Sequence, residues 1–147
     1  MGFTIDLVLV AMDGSDEAAT AAEYAIALAE RYGADLHLLY VVDQRIHQGI
    51  ETGDLSATSV AEHQRTQTGA VLERLPDSVG ISRSTVLGFR PDRLGQTPGS
   101  VTLDAADELG ADFIVVPRVR QGEATDQVLG KAAHYVLEYA SQPVLSV

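Results

Sequence analysis

The chain contains no cysteine among its 147 residues. Disulfides, thiolate metal sites and cysteine nucleophiles are therefore excluded. Positive charge is also scarce: 10 Lys and Arg stand against 21 Asp and Glu, for a net charge of −11, and Lys131 is the only lysine. A surface of that sign repels DNA, RNA and anionic membranes, so nucleic acid and membrane are not expected partners. No apolar run approaches the ~20 residues needed to cross a bilayer, and the first residues lack the basic segment and cleavage site of a secretory signal. These absences lead to the expectation of a soluble, cytoplasmic protein, and the length to that of one domain spanning 1–147.

Scarcity of lysine on an acidic chain resembles proteins of salt-accumulating archaea, where high ionic strength screens the self-repulsion. An ordinary acidic protein is the alternative. His37, His47, His63 and His134 fall on a strand, a loop and two helices without ligand spacing, so no metal site is expected.

What the chain does have is a nucleus at Ile5 to Glu17, IDLVLVAMDGSDE. A strand apolar on both faces needs cover on both, which places it near the middle of a parallel sheet. Asp13 ends the strand, Gly14 lets the chain turn, and Ser15 can cap the helix that follows. That helix is predicted over Asp16 to Tyr32, with Ala21, Ala25, Leu28, Ala29 and Tyr32 at helical spacing and Gly33 closing it. Leu36 to Val42 reads as the second strand. Asp43 to Leu55 is polar, holds Gly49 and Gly53, and reads as a surface loop. Ser56 to Leu75 reads as a mostly exposed helix, and Ile81 to Leu87 as a weaker strand near an edge.

Gly88 to Gly99, with three glycines and two prolines, reads as a loop. A short helix over Ser100 to Leu109 follows, and then a fully apolar fourth strand, Phe113 to Val116, beside the first. Thr125 or Asp126 is expected to cap a last helix striped by Leu129, Ala132, Ala133, Val136, Leu137 and Ala140. Pro143 admits a closing strand, Val144 to Val147. Five strands alternating with four helices specify a single-domain three-layer α/β/α sandwich, with a parallel sheet in order 3-2-1-4-5 and two helices on each face.

VLVAMDGSDEA with its Asp13, LHLLYVV ending at Val41 and Val42, ADFIVV before a long loop, and the terminal PVLSV occur in the order and spacing of the universal stress protein family, which the chain resembles over nearly its whole length. The resemblance implies an adenine nucleotide alpha hydrolase-like fold and a homodimer formed through the C-terminal strand. It makes ATP or AMP the only candidate cofactor, because members either bind adenine nucleotides or do not. In binding members the loop after the fourth strand carries two glycines separated by two residues, then nine residues, then glycine followed by serine or threonine. Bare backbone there lets N–H groups approach phosphates closely. Gly130 matches the third glycine; counting back, Arg120 and Pro117 stand at the other two, and Lys131 stands where the hydroxyl belongs. Gly122 lies two positions out of register.

Each departure weakens phosphate binding. Proline has no N–H, a left-handed arginine costs ~1 to 2 kcal/mol, and a lost charge-assisted hydrogen bond removes ~1.5 to 3 kcal/mol. Together they amount to roughly a hundredfold or more in affinity. Arg118, Arg120 and Lys131 offer positive side chains in partial compensation.

Asp13 has two readings, a nucleotide contact or a residue that satisfies a turn and a helix start. Val41 either lines an adenine pocket or closes a core strand. The run VPRVRQG is either an anion or partner site at the sheet's switch point or a solvated loop with local ion pairs. Ser15 lacks the surroundings of a nucleophile elbow and is read as a cap. The expected role is a non-catalytic stress-response binding module for another protein or a small anion, with ATP bound weakly or not at all. The alternative is an adenine nucleotide-binding stress protein with slow ATP hydrolysis, using Asp13, Val41, Gly130 and the arginines. A transport or signalling regulator that reads a different ligand in the same cleft is a third.

Overall fold

The computed structural model describes residues 4–42, 44–88, 96–118 and 132–147, with the side chains of Gln44 and Arg45 excepted. Its centre is β1 (Leu7–Met12), whose residues from Val8 to Met12 have no exposed surface. A segment apolar on both sides is stable only where both sides are covered, and β1 is hydrogen-bonded in parallel to β2 (Asp35–Val42) on one side and β4 (Phe113–Val116) on the other. β3 (Ile81–Leu87) pairs with β2, and β5 (Val144–Ser146) with β4, giving the parallel order β3-β2-β1-β4-β5. The sheet order read from the sequence is the one observed, with the weakly apolar β3 at an edge.

Alternation along the strands splits the core in two. Val8, Val10, Met12, Leu36, Leu38 and Tyr40 share one cluster with α1 (Asp16–Tyr32) and with Val71 of α3 (Ala57–Arg74). Leu9, Ala11, Leu39 and Val41 share the other with α4 (Pro98–Leu109) and α5 (Ala132–Tyr139). Alanines on the buried side of α1 bring its backbone close to the sheet. Ser15 accepts from the Ala18 N–H at its start, and Gly33, at φ 64°, ends it.

Two expectations need correction. Residues read as a loop after β2 contain a helix, α2 (Gln44–Thr52), so the described residues hold five helices rather than four. Gly49 and Gly53 suggest a loop, yet Ile46 and Ile50 sit four apart and give one short apolar side, which is enough once the sheet end offers something to cover. The helix placed at Ser100 starts two residues earlier. Thr97 accepts from the Ser100 N–H at 3.1 Å while the Ser100 hydroxyl accepts from the Thr97 N–H at 2.8 Å, and Pro98 takes the first helical position, where it loses no hydrogen bond. The cap expected at Thr125 or Asp126, and most of the loop read over Gly88 to Gly99, lie outside the described residues. No helix among the described residues is long and apolar enough to cross a membrane.

Candidate functional site

At the carboxyl end of the sheet, β1 runs into a sharp turn. Asp13 Oδ1 accepts from the Ser15 N–H at 3.0 Å and from the Ser15 hydroxyl, and Ser15 Oγ in turn accepts from Ala18 N–H at 3.1 Å. One carboxylate oxygen thus holds the residue that caps α1, which is the turn-and-helix-start role of Asp13. Gly14 between them has φ +84°, a conformation that suits glycine, and a Cβ added there would come within 3.3 Å of His63 Nε2. His63 reaches back from α3 and its Nε2 lies 3.2 Å from the Gly14 carbonyl oxygen.

Beside this turn opens a cavity of about 290 Å³. Met12, Tyr40, Val41 and Val42 border it on the sheet, with Asp13 and Gly14 at its rim. Ile46 of α2 and Leu55, Val60 and His63, in and just before α3, enclose it from above. Most of that lining is apolar, and Asp13, Ser56, Ser59, His63 and Gln64 add a few polar groups to it. Tyr40 is held in place by its hydroxyl, 2.7 Å from Thr68 Oγ1 and 3.2 Å from the Gln64 carbonyl oxygen, to which it donates. Burial pushes that hydroxyl above its ordinary pKa, against smaller opposing pulls from Thr68 and the charge of Arg83.

The chain matches the universal stress protein family over residues 4–147. It belongs to that family. A universal stress protein of Methanocaldococcus jannaschii is 25% identical over 142 residues, which are 95% of this chain and 80% of that protein. Among solved structures, a universal stress protein in complex with cAMP superposes with TM-score 0.70 at 21% identity, over 99% of this chain and 98% of that one. The Archaeoglobus fulgidus universal stress protein in complex with dAMP gives TM-score 0.63 at 19% identity, over 98% of each chain. At such identities the structural likenesses carry the fold.

Of the residues that the family resemblance singles out, Asp13 and Val41 border the cavity together. Val41 also belongs to the core under α4 and α5, so it both lines the cavity and closes a core strand. Pro117 is buried just beyond β4, and Arg118 is exposed, with its main-chain N–H donating to the Val147 carbonyl at 2.8 Å. Arg118 lies near Glu17, Thr20 and Val147 in a separate recess rather than in the cavity. Arg120, Gly130 and Lys131 lie outside the described residues.

The upper half of the cavity is absent from the sequence reading. Ile46 falls there in a supposed loop, and His63 is one of four scattered histidines. Spacing gives no sign of the His63 contact, because Gly14 and His63 are 49 residues apart and meet only when α3 crosses the sheet end.

Proposed function

We propose that this universal stress protein is a non-catalytic binding module whose cavity receives an adenine-class base while the phosphate-binding side is too altered to hold ATP tightly. The observation that carries the reading is the contrast between the two sides of the switch point. The apolar cavity is formed, whereas Pro117 has no N–H to offer a phosphate and the Arg118 N–H already serves Val147. Lys131 in place of a hydroxyl and Arg120 in place of glycine extend the same loss along the loop.

Calorimetric titration with ATP at high KCl tests this on the natural sequence and on a variant carrying Pro117→Gly, Arg120→Gly and Lys131→Ser. Little heat is expected from the natural protein and a gain of affinity in the variant. Micromolar ATP binding by the natural protein would overturn the proposal in favour of an adenine nucleotide-binding member with slow hydrolysis. That second reading draws support from the cAMP and dAMP complexes of the structural neighbours. In that case the side chains of Arg118, Arg120 and Lys131 hold the phosphates by charge, and binding falls steeply with salt.

The same reading includes a cytoplasmic location and a homodimer built on β5. β5 is paired on one side only, by β4, and an open apolar edge of a C-terminal strand invites its own copy about a two-fold axis. The physiological partner is then a second protein or a small anion.

A further inference from the structure

Register decides which face each residue of β3 presents. Arg83 pairs with Leu38, and Thr85 with Tyr40. Both therefore share the sheet face of Leu38 and Tyr40, the one covered by α1 and α3. There an open pocket of about 450 Å³ lies between β3 and α3, with Arg83 and Thr85 on the sheet side and Arg65 on the helix side. Its described lining contains no Asp or Glu. Tyr40 and Gln64 form a wall common to this pocket and to the apolar cavity described above.

The two arginines are unusual for this chain. Acidic residues outnumber basic ones two to one, and Arg74, on the same helix as Arg65, has found Glu23 as an ion-pair partner. Among the described residues neither Arg65 nor Arg83 is ion-paired, and Arg65 Nε donates within its own helix, to the Ala61 carbonyl at 3.4 Å. Two arginines that line one recess without a carboxylate add like charge to its walls, and an anion bound there offsets that repulsion. Their planar forks suit an oxyanion with several acceptor oxygens.

We propose that the pocket between β3 and α3 is a binding site for a phosphate-class oxyanion, held by Arg65 and Arg83 with Thr85 as a further donor. It is separate from the phosphate loop after β4 and does not depend on that loop's state. The oxyanion is either free phosphate or the phosphate group of a nucleotide whose base occupies the adjoining cavity.

The experiment is an NMR titration of the full chain with inorganic phosphate at constant ionic strength, reading the Nε–Hε signals of the arginines. Saturable shifts are expected at Arg65 and Arg83 and not at Arg31, which lies exposed in the last turn of α1. Arg65→Gln and Arg83→Gln should each weaken binding roughly tenfold or more, and the double variant should abolish it. Both side chains are exposed, so the variants should fold, which unchanged amide spectra elsewhere would verify. A parallel titration with AMP separates the sources. Shifts with phosphate alone identify a free oxyanion, and shifts with AMP at concentrations where phosphate gives none identify a nucleotide phosphate; either outcome upholds the site. Non-saturating shifts equal at Arg31, or saturable binding that survives in the double variant, would overturn it. Because the phosphate arm needs no base recognition, the site can stand even if adenine binding fails.

Discussion

His37 illustrates how far one side chain's chemistry depends on its neighbours. It is a polar residue in the middle of an apolar strand, 3% exposed, with Nδ1 2.7 Å from Ser82 Oγ and Nε2 2.8 Å from Ser84 Oγ. Register places it opposite Ser82 on β3, so both ring nitrogens are satisfied on one face of the sheet. Burial lowers its pKa from the ordinary value of 6.5. With a folded pKa below the unfolded one, the unfolded chain binds more protons as pH falls below about 6.5, and stability declines on acidification. Denaturant melts between pH 7 and pH 5 should therefore fall less steeply for His37→Gln than for the natural protein. Identical slopes would mean that His37 ionises in the folded protein as readily as in water.

Between elements, α4 and α5 approach each other closely. A Cβ built on Gly99 would lie 2.8 Å from Cβ of Tyr135, an atom anchored to the α5 backbone and unable to swing away. Gly99→Ala should push α5 off α4 and destabilise the protein by about 1 to 3 kcal/mol, as overpacking generally does. An unchanged midpoint in urea would show that the two helices separate without strain. Read as sequence alone, Gly99 falls in a loop because of Gly88, Pro91, Gly95 and Pro98 around it. The capping box of Thr97 and Ser100 is present in the letters, but glycine density outweighs it. α2 is hidden in the same way, since its Gly49 reads as a breaker until Leu55 is seen folding back to donate its N–H to the Gly49 carbonyl at 2.8 Å.

For the chain taken as one body, charge sets the conditions under which the fold persists. A net −11 on 147 residues, doubled in the proposed dimer, opposes compaction by repulsion, and the Debye length of about 10 Å at 0.1 M salt shrinks to about 3 Å at 1 M. Thermal melts should shift upward as KCl rises toward molar concentration, and light scattering on the same samples should give twice the chain mass at micromolar concentration. A flat melting response would remove the salt-adapted reading, and a monomer in molar KCl would remove the β5 dimer.

The architecture was legible in the letters. Two doubly apolar strands, β1 and β4, demand central positions, and right-handed crossovers then leave one strand order, so the sheet follows from composition and period with little help. The turn at Asp13, Gly14 and Ser15 was legible too, because capping and left-handed backbone are local matters. Which distant residues share a space emerged only once the chain was folded. His63 meets Gly14, and Arg65 faces the same recess as Arg83, through the crossing of α3 over the sheet and the one-residue choice of register between β2 and β3. A slip of one position would send Arg83 to the opposite face, so no property of the separate segments can announce that the two arginines line one pocket.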